Sequence, residues 1–459
     1  MDNGNIKTTK GVDSILGNPK KALWDMSIPL IISLFITSLY NVIDAVWVSG
    51  LGADALAGVG FVTPIFIALM GIGNGLGAGS TSALSKYIGE ENKNKTDNGG
   101  AHSILITIVF SLIVTIILIF SLKPILLVMG ASSTIGYALQ YGTIISLGSV
   151  FIILSNSLYG VLRGEGDAKR TMHAMLFASI LNIFLDPVFI YGFDLGVRGA
   201  AIATIVSLAL VNLVLLYWFY IKKDTFIEPF LSNFKFSREI SFDILKVGLP
   251  ASLELINNAF FAALFSMLLA YVASTDAVAV YSTGWRIVTI GTTPMLAVAT
   301  ALISVVAANY GAKRYENILT AHRYAIKIST IFGLIIAVLI FLFAPQIVSI
   351  FTYAETSRGL SHSLIAFLSC IVLFFPTMGY GCASTFIFQG MGKGFTAMFQ
   401  TVLRETVFSL IFAYFFAIVL GYGEYGAWFG IIIGELVVNT ITMIWADLYI
   451  KGLIKGENS

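Results

Sequence analysis

The sequence predicts an all-α integral membrane protein, with twelve transmembrane helices in two pseudo-symmetric six-helix bundles that form a parallel repeat. Three observations predict it. Of 459 residues, 57% are hydrophobic and 11% charged, against roughly 25% charged in a soluble domain. Twelve apolar runs are each long enough to cross a hydrocarbon core of about 30 Å. Motifs also recur in order at separations of 221 to 226 residues.

The runs begin near Ala22, Ala55, Gly99, Gly136, Thr171, Gly199, Ser241, Ala277, Thr320, His362, Phe395 and Gly426. The second is rich in glycine (Gly71, Gly73, Gly75, Gly77, Gly79), which would weaken a soluble helix but lets helices approach closely in lipid. Tight packing is expected there rather than a hinge. An even number of spans puts both ends on one side. The segments on that side hold most of the Lys and Arg, among them Lys7, Lys20, Lys21, Lys86, Lys93, Lys95, Lys222, Lys223, Lys313 and Arg314, while the opposite segments hold only Lys123, Arg198 and Arg358. The positive-inside rule therefore predicts cytoplasmic termini.

The expected organisation is a cytoplasmic segment (1–21), an amino-terminal lobe (22–221), a cytoplasmic linker (222–240), a carboxy-terminal lobe (241–451) and a tail (452–459). Residues 1–21 show no apolar core followed by a small-residue cleavage site, so no cleaved signal peptide is indicated. Pro29 answers Pro250, Asp54 answers Asp276, Gly89 answers Gly311, and the RGEG of Arg163–Gly166 answers the QGMG of Gln389–Gly392. Each unit has an even number of spans, so the two share one direction, the architecture expected of an alternating-access transporter.

Two aspartates, Asp44 and Asp186, lie inside apolar runs. A carboxylate at that depth costs at least about 2.5 kcal/mol on the insertion scale, so it needs a partner, a cation or a proton. Tyr40 stands four residues before Asp44, and Asn182 four before Asp186, which places each pair on one helix face. Counting about 1.5 Å per residue puts Asp44 roughly 33 Å and Asp186 roughly 24 Å along their helices, depths that suit one shared site. Pro187 deprives the carbonyl of Ile183 of its helical donor, and Pro29 does the same to Asp25, so both are candidate conformational kinks.

These stretches resemble the multidrug and toxic compound extrusion family, in its prokaryotic branch with an amino-terminal-lobe ion site. The likeness rests on the Pro29 start of the first helix, LYNVIDAVWVSGLGADALAGVG, LRGEGDAKR and LNIFLDPVFIYGFDLGVRGAAIAT, and extends over almost the whole chain. It implies that Asp44 and Asp186 form the acidic centre of a cation site, with Asn182, Asn156, Tyr141, Tyr40 and Thr204 around them. It also implies exchange of Na⁺ or H⁺ for an amphipathic, often cationic, organic compound as two bundles rock about a central cleft. A second pattern of the family places an acidic ligand deep in the seventh helix. Glu254 comes earlier than that pattern expects.

By rise counting, Glu254, Arg286 and Glu405 lie at about 18, 14 and 15 Å into their helices, so an ion-pair cluster in the carboxy-terminal lobe, with Arg404 nearby, is expected ahead of a second coupling site. Glu435 is left without a place. His102, His173, His322 and His362 lack metal-ligand spacing. Cys370 and Cys382 are twelve positions apart on one span, too far for a disulfide.

The function expected is cation-coupled antiport, with no catalytic residues, no resident cofactor and no metal beyond Na⁺ at Asp44 and Asp186; the transported ion is H⁺ or Na⁺. The alternatives are a flippase for a lipid-linked precursor, which would want a basic groove, and an intramembrane enzyme. For the enzyme, no nucleophile elbow or paired His is found, and LRGEGDAKR lacks the Lys-Ser/Thr of a phosphate loop. Expected partners are small amphipathic substrates and membrane lipid, with no nucleic acid, in a monomer. The expected location is the plasma membrane of a prokaryote.

Overall fold

The computed structural model describes residues 8–230, 234–351 and 359–457. Lys7 and Arg358, counted in the charge asymmetry, lie outside them. Among the described residues helices are the only regular secondary structure. A short helix α1 (Lys10–Leu16) precedes α2 (Pro19–Ser49), α3 (Ala53–Gly89), α4 (Lys93–Val128), α5 (Ile135–Leu147), α6 (Ser149–Gly164), α7 (Ala168–Pro187) and α8 (Val197–Tyr217). The second half holds α9 (Arg238–Val272), α10 (Thr275–Gly311), α11 (Tyr315–Phe351), α12 (Ser361–Ile371), α13 (Phe374–Gly390), α14 (Gly394–Thr401), α15 (Ser409–Tyr414) and α16 (Gly423–Glu457).

Ten helices among the described residues are long and apolar enough to cross a membrane, α14 and α15 counting as one span (Gly394–Val419) joined by a π segment over Val402–Phe408. Two bent pairs, α5 with α6 at 49° and α12 with α13 at 48°, bring the total to twelve when each pair is one span. The bends stand at corresponding places in the two repeats. Polar residues set several helix starts: Asn92 accepts from Lys95 N at 3.0 Å, and Asp167 from Arg170 N at 2.9 Å, each satisfying an amide that the helix leaves without a partner.

The chain divides into two compact units, one of residues up to Gly17 with Ile28–Leu253, the other of Asn18–Ser27 with Glu254–Ser459. Helices α2 and α9 therefore change unit within their length, next to Pro29 and Pro250. The first ten residues of this stretch are held in the second unit by the Trp24 indole, which donates to the Tyr324 hydroxyl at 2.8 Å.

In the first unit, the glycines of α3 act as close-contact surfaces. A Cβ at Gly77 would come within 2.7 Å of the Asn156 carbonyl on α6, and one at Gly79 would overlap the Ile244 carbonyl on α9. The residues after α8 are fastened to the same unit. Glu165 accepts from Ile227 N at 2.9 Å, Asp97 from Glu228 N at 2.8 Å, and His102 Nε2 from Ser237 N at 2.9 Å. Asn98 holds both the amide and the carbonyl of Lys235, at 3.2 and 2.8 Å.

The second unit packs around an aromatic core in which Phe265, Phe367, Phe375 and Trp428 are fully buried. Cys370 and Cys382 are free.

Candidate functional site

Helix α2 carries Tyr40 and Asp44 on one face, and α7 carries Asn182 and Asp186 in the same spacing. The carboxyl groups of Asp44 and Asp186 approach closely enough to interact directly. Asp186 is fully buried and Asn182 nearly so. The Asn182 amide donates to Asp186 Oδ1 at 3.3 Å and to Thr204 Oγ1, from α8, at 3.4 Å. Tyr141 of α5 meets Thr204 and faces both aspartates, as does Tyr40.

Three oxygens here, Asp44 Oδ1, Asp186 Oδ2 and Asn182 Oδ1, are buried and accept no hydrogen bond from the described residues. A buried acceptor without a donor costs about 1–3 kcal/mol, more when charged. Carboxylate, amide and hydroxyl oxygens are the ligands that hard cations take, so the residues present fit a bound cation or a proton shared between the acids.

Asn156 belongs to the site differently. Its amide donates to the Ile152 carbonyl at 2.8 Å and points at Met70 Sδ at 3.6 Å, so it forms part of a cavity wall rather than a ligand to the acids in this arrangement. That cavity, of about 60 Å³, is lined by Thr37, Tyr40, Met70, Asn156, Tyr159, Ser179, Asn182 and Thr204 among others. Tyr159, Ser155 and Ser179 escaped the sequence reading. Their signal was polar residues at helical spacing on α6 and α7, which looks the same when such residues only hydrogen-bond their own helix.

Pro187 ends α7, and the chain continues as a π turn over Val188–Gly192. At Pro29, by contrast, α2 stays helical.

The second unit holds a separate polar cluster. Arg404 Nη2 pairs with Glu405 at 2.9 Å and Nε lies 3.6 Å from Glu435, while Asn439 donates to Glu435 at 2.9 Å. Glu254 stands beside it, accepting from the Gln389 amide at 3.0 Å. Arg286, expected in this cluster, is exposed and outside it. Rise along a helix gives depth but not direction: Tyr281, Trp285, Val288, Thr289 and Thr292 form the face of α10 that lines the adjoining cavity of about 270 Å³, and Arg286 falls off that face. Glu435, left without a place by the sequence, belongs to the cluster through Arg404 and Asn439.

A family model described as MatE matches residues 29–188 and 250–415. The multidrug export protein MepA of Staphylococcus saprophyticus is 27% identical over 84% of this chain and 85% of its own. Among solved structures, MATE in complex with MaL6 superposes with a TM-score of 0.95 at 37% identity, over 98% of this chain and 100% of its own. A MOP superfamily transporter from Pyrococcus furiosus, reported with a binding pocket of reverse polarity suggesting a different function, gives 0.94 at 38%, over 97% and 99%. With the match spanning both repeats, the chain belongs to the MatE family and is a multi-pass membrane transporter, not an enzyme.

Proposed function

We infer that the protein exports small amphipathic, often cationic, organic compounds in exchange for H⁺ or Na⁺ bound between Asp44 and Asp186. The observation that carries this reading is the set of three buried oxygens without donors among the described residues, on two helices whose carboxyl groups interact. An ion or proton there answers the unmet acceptors. Its loss leaves two like charges side by side, so occupancy and helix arrangement are coupled. Family membership and the export function of the MepA relative support the direction and the class of substrate.

Entry of the ion down its gradient supplies about 2.3 kcal/mol per charge per 100 mV, besides the concentration term. Asn182 orients Asp186, Thr204 and Tyr141 complete the oxygen shell, and Tyr40 closes it along α2. Both termini are cytoplasmic in this reading, and the carrier works as a monomer in a prokaryotic plasma membrane. Lipid-precursor flipping wants a basic groove, whereas Arg404 is engaged by Glu405 and Glu435.

The test is efflux from vesicles under separately imposed pH and Na⁺ gradients. One gradient is expected to drive the wild type, and Asp44→Asn and Asp186→Asn to abolish that drive while the proteins still elute as folded carriers. Unchanged ion-driven efflux in either variant would overturn the reading.

A further inference from the structure

Helices α2 and α7 are joined at a second point beyond the carboxyl pair. The Tyr191 hydroxyl, on the π turn Val188–Gly192, donates to the Trp47 carbonyl at 2.6 Å, and the two rings stand edge-on with centroids 6.3 Å apart. Trp47 lies at the end of α2, where the chain turns at Gly50 and the carbonyl also accepts from Gly50 N at 3.3 Å. The hydroxyl thus adds a second and shorter bond at a helix end, where carbonyls are short of backbone donors.

Two local features allow the contact. The π turn after Pro187 places Tyr191 toward α2, and Gly50 has no side chain where the hydroxyl passes, because a Cβ there would overlap it. Gly50 is not among the positive-φ glycines. Space for the tyrosine therefore explains this glycine, and backbone conformation does not.

Asp44 precedes Trp47 by three residues and Asp186 precedes Tyr191 by five. The clasp therefore lies about one turn beyond the acids, on the same two helices. The groups that face the acids are Tyr40, Tyr141, Asn182 and Thr204, and no basic side chain pairs with either acid among the described residues. Once the ion leaves, two carboxylates repel each other with no neighbouring cation to hold them.

We propose that Tyr191 is a positioning residue of the ion site: its bond to the Trp47 carbonyl keeps α2 and α7 together when the site empties, so that both carboxylates remain within reach of the next ion. This rests on the cation-coupled reading. The vacant site is then preorganised, and affinity for the ion is gained by avoiding the cost of bringing the helices together.

The experiment uses the full chain in liposomes, with efflux measured against increasing concentration of whichever ion drives the wild type. Tyr191→Phe keeps the ring and removes the donor. The half-saturating ion concentration is expected to rise about threefold to tenfold, the size set by one hydrogen bond, with the substrate KM and the rate at saturating ion little changed. Gly50→Ala, which leaves the tyrosine in place but displaces its hydroxyl, is expected to give the same shift. The double variant should be no worse than either single one, because both remove the same bond. Wild-type ion dependence in Tyr191→Phe overturns the proposal, and so does a lower maximal rate with unchanged half-saturation. Asp44→Asn run in parallel separates the two ideas: ion-driven efflux in that variant overturns the coupling reading and the clasp with it, whereas its loss beside a normal Tyr191→Phe overturns the clasp alone.

Discussion

Glu165, in the turn between α6 and α7, is 1% exposed. Burial pushes its carboxyl up to about 8; the nearby Asp167 charge adds to this, and the Ile227 amide and Arg170 oppose it. A carboxyl that holds its proton more tightly folded than unfolded contributes stability fully below its unfolded value, and loses it as pH rises from about 4.5 to about 8. Glu165→Gln keeps an oxygen for the Ile227 amide and removes the titration. Thermal-unfolding scans across that range in detergent should show the wild type losing stability as pH rises and the variant responding less; equal slopes would show that Glu165 does not titrate in this window. Arg404 makes a second residue-scale comparison. Replacing it by Met strands Glu405 and Glu435 and should cost about 3–5 kcal/mol, while Arg286→Met, at an exposed position, should be within about 0.5 kcal/mol; denaturation midpoints of the two variants check this. The acids at Asp44 and Asp186 were readable in the sequence because a lone charge in an apolar run has few explanations. Tyr191 was not, since its partner is a backbone carbonyl, which carries no sequence signature.

At the scale of elements, α3 and α6 meet backbone to backbone. A Cβ at Gly160 would overlap Gly77, whereas Gly136 has nothing within 4 Å. Gly160→Val should therefore cost about 1–3 kcal/mol or more through overpacking, with Gly136→Ala near neutral, as read from the yield and melting temperature of purified carrier. The twelve runs of the sequence correspond to ten helices and two bent pairs. Hydropathy located the spans because lipid demands an apolar exterior over a fixed thickness. It could not show the bends, because the residues around Gly148 and Leu373 are as apolar as the helices they join. At Gly148 the glycine itself answers to a packing contact, since a Cβ there would overlap the Ile205 side chain of α8.

For the molecule as a whole, the repeated motifs revealed the duplication, and the matched bends of α5–α6 and α12–α13 repeat it in structure. What periodicity could not reveal is where the chain passes from one unit to the other. Composition changes at the polar stretch after α8, yet that stretch is pinned to the first unit by Glu165, Asp97, Asn98 and His102. Such clamps use ordinary polar residues whose targets are main-chain groups. The depth of Arg286 misled for a related reason, because sequence distance fixes height along a helix while its orientation depends on neighbours far away in the chain.

The passage of α2 and α9 between units bears on descent. Residues 18–27 are built into one unit and residues 28–49 into the other, with α9 divided in the opposite sense after Leu253. A half-length forebear with this fold would have had no unit of its own for the opening turns of its first helix. Two copies trading those turns would have solved the problem, and fusing the two genes would then have made a mutual loan permanent.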